Sequence, residues 1–129
     1  MGYRVVDIAD LEGEGPGGMV RKVRRAVGGK ALGFNYFTLP PGTEGREHDH
    51  AADGMEEVYF VVRGSGRMRI DGEEVELRPG TFVRVDGEST RVPLAGAEGL
   101  EFVTFCSARR PRTEPPLSSS HQWQPLKVQ

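Results

Sequence analysis

The amino-acid sequence predicts an all-β protein, built as a single barrel or sandwich of short strands. Its 129 residues are enough for one compact domain and too few for two ordinary ones. Short runs rich in Val, Phe and Tyr alternate with turns, and the chain holds 18 glycines and 9 prolines to form them. No long run with helical periodicity interrupts this pattern, so a closed or stacked sheet is the expected architecture.

Nine strands are predicted from the alternation of residue types and from the turns between them. Asp71-Gly72 provides the positive φ angles of a tight hairpin, and Pro79-Gly80 and Asp86-Gly87 provide the next two reversals. Gly64-Ser65-Gly66 is expected to separate two further strands, and residues 8–12 are the one N-terminal segment that could be helical. The predicted strands cover residues 20–27, 32–39, 47–50, 57–63, 66–70, 74–77, 81–85, 91–94 and 100–106.

A change in composition near residue 108 divides the chain into a domain and a tail. Residues 1–108 are predicted to form the single barrel domain, with its core in residues 20–106. Residues 109–129 are rich in proline and serine, which is typical of an extended surface tail. Trp123 and Leu126 give this tail some apolar surface with which to dock on a barrel.

The charge balance and the apolar runs exclude several classes of partner. A net charge of -2 and a pI near 5.9 argue against nucleic acid. The longest wholly apolar run, residues 58–62, is far shorter than the roughly 20 residues of a membrane helix. The first seven residues do not resemble a secretory signal. The single cysteine, Cys106, fits a reducing compartment and is expected to be a small buried apolar residue. The cytoplasm is therefore the expected location.

Two histidines and one glutamate form the candidate metal site. His48 and His50 are two residues apart, so in an extended chain their side chains leave from the same face. Glu57 begins the next predicted strand and shares a face with Tyr59, whereas the alternate positions of that strand are apolar. Two neutral imidazoles and a carboxylate suit Fe(II), Mn(II), Ni(II) or Zn(II) and leave coordination positions open. The residue types do not select among these metals.

The residues around this site resemble the first motif of the cupin superfamily. Gly42 lies six residues before His48, and Gly64 lies seven residues after Glu57, so the chain reads G-x5-H-x-H and then E-x6-G. Further along, Pro79-Gly80 resembles the start of the second cupin motif. The spacing to Gly64 selects Glu57, rather than the preceding glutamate, as the third ligand.

The resemblance covers about residues 20–106 and carries expectations for the whole protein. It implies a double-stranded β-helix, a jelly-roll-like cupin barrel, between a short N-terminal segment and an extended C-terminal tail. It also implies one metal ion held inside the barrel by His48, His50 and Glu57, and the pairing of two chains into a homodimer.

The sequence departs from the cupin pattern in two places. The loop between His50 and Glu57 is longer than usual, which a local bulge can absorb. In the second motif the family's third histidine is expected after the Asp86-Gly87 turn, where this chain has Thr90. A hydroxyl is a poorer metal ligand than imidazole, so the resemblance implies three ligands. His121, the remaining histidine, lies in the serine-rich tail, in a context typical of a solvated loop.

Two functions are compatible with these residues. The first is a metal-dependent enzyme of the dioxygenase or isomerase type that acts on a small molecule. The second is a non-catalytic cupin that binds or senses a small molecule, with a degenerate or empty metal site; Thr90 and the lack of a general base besides the ligands favour it. Neither the substrate nor the metal follows from the sequence, because function belongs to the site and not to the barrel.

Other side chains are candidates for the barrel interior. Phe34, Tyr36 and Phe82 could line a pocket, although a barrel needs such residues merely to be filled. Tyr59 is expected to be a core residue on the face of Glu57. Arg63 would bind an anionic substrate if it pointed inward, but extension of its side chain into solvent is the favoured alternative.

Overall fold

The computed structural model describes residues 2–107, and six strands pair within this range. They are β1 (Val20–Arg21), β2 (Leu32–Leu39), β3 (Glu57–Ile70), β4 (Glu73–Leu77), β5 (Phe82–Val85) and β6 (Arg91–Ser107). All pairings are antiparallel, in the order β1-β2-β6-β3-β4, and β5 joins the sheet along β3. This arrangement confirms the predicted all-β class, and its topology fits the double-stranded β-helix.

Two long bent strands, β3 and β6, replace four of the predicted short ones. The separation predicted at Gly64-Ser65-Gly66 is wrong, because β3 continues through these residues. The register between β3 and β6 shifts between Val61 and Arg63 and again between Gly64 and Gly66. Such irregularities bend a strand and increase its twist, so each long strand can curve around the barrel. The glycines mark bends within one strand and not its end.

The segment 20–27, predicted as a strand, is mostly helical. The helix α1 (Val23–Val27) follows the two residues of β1. Gly28 ends this helix and adopts a left-handed conformation with φ 75°. Arginine and alanine favour a helix, and glycine at this position closes one, so local preferences exceeded the β preference of the valines. The N-terminal segment predicted at 8–12 forms a 3-10 turn at Ile8–Asp10.

The segment 47–50 is not a regular strand either. Its single ladder contact is an isolated antiparallel bridge between His48 and Arg91. The backbone is nevertheless anchored to β6, because the amide of His48 donates to the Arg91 carbonyl at 3.0 Å and the amide of Arg91 donates back at 2.9 Å. The segment is therefore held at the barrel without being part of a continuous ladder.

The hairpin predicted at Asp71-Gly72 is confirmed. Asp71 and Gly72 have φ angles of 49° and 86°, as a tight turn between β3 and β4 requires. The Asp71 carboxylate also accepts a hydrogen bond from the Thr90 amide at 2.9 Å. This contact ties the hairpin to the residue that precedes β6.

The core lies between the inward faces of the long strands. Phe37 and Phe102 stack with their ring centroids 4.9 Å apart, and Tyr59 packs against Phe102 at 5.6 Å. The buried cluster comprises Leu39, Tyr59, Val61, Met68, Leu77, Val85, Ala95, Leu100 and Phe102. These residues alternate along their strands with outward-facing ones, as barrel closure requires.

Several predictions concern residues outside the described range. The proline- and serine-rich tail 109–129, with His121, Trp123 and Leu126, lies beyond residue 107. The domain limits 1–108 likewise stay a prediction. Among residues 2–107, no helix is long and apolar enough to cross a membrane.

Candidate metal centre

Backbone hydrogen bonds to the start of β6 and to the turn before it set the positions of the two histidines. The bridge to Arg91 holds His48, and the amide of His50 donates to the Gly87 carbonyl at 2.7 Å. Because the two histidines are separated by one residue of nearly extended chain, their rings leave on the same side. Glu57, the first residue of β3, faces them.

The three predicted ligands converge. His48 Nε2 lies 3.6 Å from Glu57 Oε1, and His50 Nε2 lies 3.8 Å from the same oxygen. The imidazole rings stand edge to face with centroids 5.3 Å apart. All three ligand atoms lie within 4.8 Å of one another. The structure therefore brings together the residues that the sequence predicted.

The donor set fits a divalent ion. Two ligands bonded to one ion at about 2.1 Å can stand up to about 4.2 Å apart, which includes both nitrogen-to-oxygen distances. His48 Nδ1 lies 3.1 Å from the Arg46 carbonyl and His50 Nδ1 lies 3.3 Å from Asp53 Oδ2, so each ring can donate through Nδ1 and keep Nε2 as a ligand. Within residues 2–107, His50 Nε2 is buried and has no hydrogen-bond partner. A metal ion would satisfy it.

Tyr59 orients the carboxylate of Glu57. Its hydroxyl donates a 2.5 Å hydrogen bond to Glu57 Oε1. Burial, followed by the charge of Glu57 and this hydrogen bond, raises the pKa of Tyr59 far above its ordinary value, so the phenol stays neutral. The prediction that Tyr59 lies in the core on the face of Glu57 is confirmed.

Glu57 and His48 each shift the pKa of the other toward its charged form. Burial tends to raise the pKa of Glu57, but the opposing interactions with His48 and Tyr59 are stronger in sum, and the pKa is lowered. The same carboxylate raises the pKa of His48 above its usual value, against the opposite effect of burial. Glu57 is therefore a carboxylate anion at neutral pH, ready to bind a cation.

An apolar cavity of about 450 Å³ adjoins the cluster. His48, Glu57 and Tyr59 lie in its wall together with the rings of Phe37 and Phe102. The remaining lining residues are Gly15, Pro16, Met19, Val20, Lys22, Leu39, Glu44, Gly45, Arg46, Pro93 and Thr104. A mostly apolar chamber with a few polar groups on one wall is the usual form of a small-molecule site.

The aromatic residues predicted as pocket-lining lie elsewhere. Phe34, Tyr36 and Phe82 do not line this cavity. The Tyr36 hydroxyl donates to Glu101 at 3.0 Å, and Phe82 is 67% exposed. Strand alternation explains the error, since Phe37 on β2 faces the cavity and its neighbour Tyr36 lies on the opposite face of the strand.

Arg63 is exposed and does not line the cavity. Its Nη1 lies 3.6 Å from Glu101 Oε2, on an exposed part of the strand. The favoured prediction, extension of the side chain into solvent, agrees with this position.

Cys106 differs from expectation, because it is only partly buried. It pairs across the sheet with Glu57.

Sequence reasoning missed Arg91. The spacing of the second motif put Thr90 in the place of a third histidine, but Thr90 is partly exposed and the next residue is the one that pairs with His48. The Arg91 side chain is 0% exposed. Neighbouring residues of an extended chain point to opposite faces, so the alignment of this segment with His48 decides which side chain enters the barrel. The residue types at the Asp86-Gly87 turn do not reveal this alignment.

A comparison with known families agrees with the fold. A model described as the cupin domain matches residues 35–94, a range that includes His48, His50 and Glu57. Solved cupin structures have the same fold. The match to the family model covers slightly less than half of the chain, and together with the fold it supports a member of the cupin superfamily.

Two curated relatives are similar over part of their length. An oxalate-binding protein of Thermotoga maritima is 32% identical over 81 residues, which is 62% of this chain and 65% of the relative. A dimethylsulfoniopropionate lyase of Ruegeria pomeroyi is 38% identical over 69 residues, which is 53% of this chain and 43% of the relative. The chain thus spans less than two thirds of either relative.

A solved structure extends the likeness to nearly the full chain. A cupin protein of Bacteroides fragilis matches with a TM-score of 0.67 at 19% identity, covering 98% of this chain and 99% of that one. At this identity the likeness concerns the fold alone.

Proposed function

We propose that this chain is a metal-dependent enzyme that acts on a small carboxylate-containing molecule. The observation that carries the proposal is the convergence of His48, His50 and Glu57 in and beside the wall of an apolar cavity. A divalent ion bound there would act as a Lewis acid toward an oxygen atom of the ligand. The candidate ions are Fe(II), Mn(II), Ni(II) and Zn(II).

The chain's own residues have separate roles in this proposal. Tyr59 holds the Glu57 carboxylate in position and keeps its own proton. Phe37, Leu39 and Phe102 exclude water from the chamber, which strengthens the electrostatic interactions within it. The reaction class, dioxygenase or isomerase, rests on the cupin resemblance.

The names of the relatives support the choice of ligand class. Oxalate and dimethylsulfoniopropionate both contain a carboxylate group, although the proteins named for them differ in function. A cavity of about 450 Å³ has room for molecules of this size. A small carboxylate is therefore the ligand class that we propose.

The alternative is a non-catalytic cupin that binds or senses the same class of molecule. One observation favours it: the inward position opposite His48 carries Arg91, which cannot serve as a metal ligand in the way that imidazole does. The metal site would then be weak or empty. Ligand binding without turnover would distinguish this function from the enzyme.

Elemental analysis of the purified protein tests the metal site. After incubation with each of the four ions and removal of excess, we expect one ion per chain in the wild-type protein. The double variant H48A/H50A should lose it. His121→Ala is the control, because it removes the third histidine of the sequence and leaves all three candidate ligands in place. A wild-type protein that retains none of the ions would contradict the metal site.

A screen of small carboxylates then tests catalysis. We expect turnover of at least one of them by the metal-loaded protein and none after chelation. Binding of a carboxylate without turnover under any metal would favour the alternative function instead.

We further propose that the protein forms a homodimer and works in the cytoplasm. Support for the dimer comes from an apolar outer face on β3, β5 and β6 formed by Val58, Phe60, Val62, Phe82 and Phe105. The rings of Phe60 and Phe82 lie 4.4 Å apart across the two strands. Exposed apolar surface of this kind commonly marks a protein contact, and a twofold dimer uses one patch twice. The unpaired thiol of Cys106 fits the cytoplasm.

A further inference from the structure

Arg91 is a buried cation whose guanidinium is only partly satisfied. Its Nη2 atom donates to the carbonyls of Val85 at 3.4 Å and Asp86 at 3.3 Å. In the part of the chain that the structure describes, Nε and Nη1 have no hydrogen-bond partner, although the side chain is fully buried. A guanidinium keeps its charge at any physiological pH. A buried charged group of this kind normally has a partner, so unsatisfied donors here call for one.

The position of Arg91 places this charge at the metal cluster. Its backbone forms a two-hydrogen-bond bridge with His48, an arrangement in which the two Cα atoms are about 5.5 Å apart and both side chains lie on one face. The guanidinium lies at the carbonyls of Val85 and Asp86, and Val85 is the residue of β5 that pairs with Glu57 on β3.

A fixed cation beside a metal site creates a conflict that an anion would remove. The ion and the guanidinium repel one another, and Glu57 is the single carboxylate of the three-ligand cluster. A second negative group between the two cations would attract both and would supply acceptors for the unsatisfied N–H groups. Guanidinium and carboxylate are matched in geometry and charge.

We propose that Arg91 is the anion-binding residue of this site and binds the carboxylate of the small ligand, so that carboxylate and metal bind cooperatively. Arg91 does not line the cavity of about 450 Å³, so the ligand would have to extend its carboxylate beyond the cavity wall to reach the guanidinium. This inference rests on the proposed function, since it assigns a residue to the ligand class given there. It also gives a role to the arginine that directly follows Thr90, the position at which the cupin resemblance implies an imidazole. The positive charge binds the ligand and is not a substitute ligand for the metal.

The first experiment measures Mn(II) binding by calorimetry with and without propionate, a simple carboxylate that binds free Mn(II) weakly. For the wild-type protein we expect propionate to tighten Mn(II) binding at least about fivefold, the lower end of typical coupling between sites. For Arg91→Met we expect no effect of propionate, and Mn(II) binding without propionate as tight as in the wild type or tighter, because the repulsion is gone. Arg63→Met is the matched control, since this arginine is exposed and distant from the cavity, and it should behave as the wild type.

Two further measurements test the proposal even if Arg91→Met fails to fold. One uses the variant Arg91→Lys, and the other uses the wild-type protein. Lysine keeps the charge without the planar fork, so the propionate effect should be reduced and not abolished. In the wild-type protein, the NMR signal of the Arg91 Nε–H group should shift when propionate is added to the metal-free form. An unchanged signal, or a full propionate effect in folded Arg91→Met, would overturn the inference.

The outcomes separate the inference from the proposed function. If no Mn(II) binds but the Arg91 Nε–H signal shifts with propionate, the metal site fails and the anion site stands. If Mn(II) binds and propionate has no effect, the metal site stands and the role of Arg91 is overturned, with ordered water as the partner of its guanidinium.

Discussion

Glu57 Oε1 is the atom on which the candidate site depends. It accepts the hydrogen bond of Tyr59 and is the oxygen nearest to both imidazole Nε2 atoms. One side of the carboxylate is thereby held by a neutral phenol, and the negative charge faces the histidines. Groups that orient a ligand in this way commonly change metal affinity by 10- to 100-fold.

Tyr59→Phe should therefore weaken metal binding without changing any ligand. We expect the affinity for Mn(II) to fall by about tenfold, because Glu57 loses the donor that orients it. Calorimetric titration measures the effect. Tyr36→Phe is the matched control, since this hydroxyl donates to Glu101 away from the cavity. Equal affinities in the wild type and Tyr59→Phe would show that the hydrogen bond has no part in the site.

The ionisation of Asp71, in the turn between β3 and β4, makes the stability of the protein depend on pH. Hydrogen bonds from the Ser89 side chain and the Thr90 amide lower its pKa below the ordinary value of an aspartate. A carboxylate with a lowered folded-state pKa contributes stability above its unfolded value, and this stability is lost as the pH falls through the folded value.

Asp71→Asn should consequently lower the melting temperature near neutral pH and have a smaller effect in acid. Asparagine tolerates the positive φ angle of this position, so the comparison reports mainly on the charge. Thermal unfolding of both proteins at neutral pH and well below pH 3.8 checks this expectation. A difference that stays constant between the two conditions would contradict it.

At the scale of elements, β3 and β6 are long strands that bend, so that each curves around the barrel and takes the place of two short strands. Near the bend, β3 and β6 approach so closely that a Cβ atom on Gly66 would lie 2.1 Å from the Leu94 carbonyl oxygen. This contact is with backbone and cannot be relieved by turning a side chain. Gly66 is thus needed for close packing of the two strands.

Gly66→Ala should destabilise the barrel by about 1–3 kcal/mol, the usual cost of forcing extra volume into a packed region. Gly42→Ala is the comparison, because nothing lies within 4 Å of a Cβ at that site and its positive φ of 70° is the single source of strain. That strain costs about 1–2 kcal/mol. Urea unfolding of the two variants gives both values. A Gly66→Ala protein as stable as the wild type would show that the strands can separate without cost.

At the scale of the whole molecule, the barrel has one apolar face inside and another outside. The inner face packs the core around Phe102 and Tyr59. The apolar outer face extends over three strands and consists of Val58, Phe60, Val62, Phe82 and Phe105. Within residues 2–107, no other side chain covers Phe82, which is exposed. The proposed homodimer would bury this face.

Phe82→Glu should convert the proposed dimer into a monomer, because each interface would then contain two buried and unpaired carboxylates. Light scattering coupled to size-exclusion chromatography measures the mass. Val5→Glu is the control, since it also adds a charge at an exposed apolar residue but lies outside the apolar outer face. A wild-type protein that is monomeric at all accessible concentrations would refute the dimer.

Much of the site could be predicted from the sequence because it depends on short-range geometry. His48 and His50 share a face as a consequence of the two-residue period of extended chain, and Glu57 and Tyr59 share one for the same reason. The hairpin at Asp71-Gly72 depends on the conformations that two residues can adopt. These features need no knowledge of the rest of the fold.

The sequence by itself determined the all-β class, the tight turn and the three candidate ligands, since period and turn chemistry are local properties. The tertiary structure alone decided that four predicted strands join into β3 and β6, and that Arg91 rather than Thr90 enters the barrel beside His48. Both depend on how distant strands align, and a shift of one residue in that alignment sends a side chain to the opposite face.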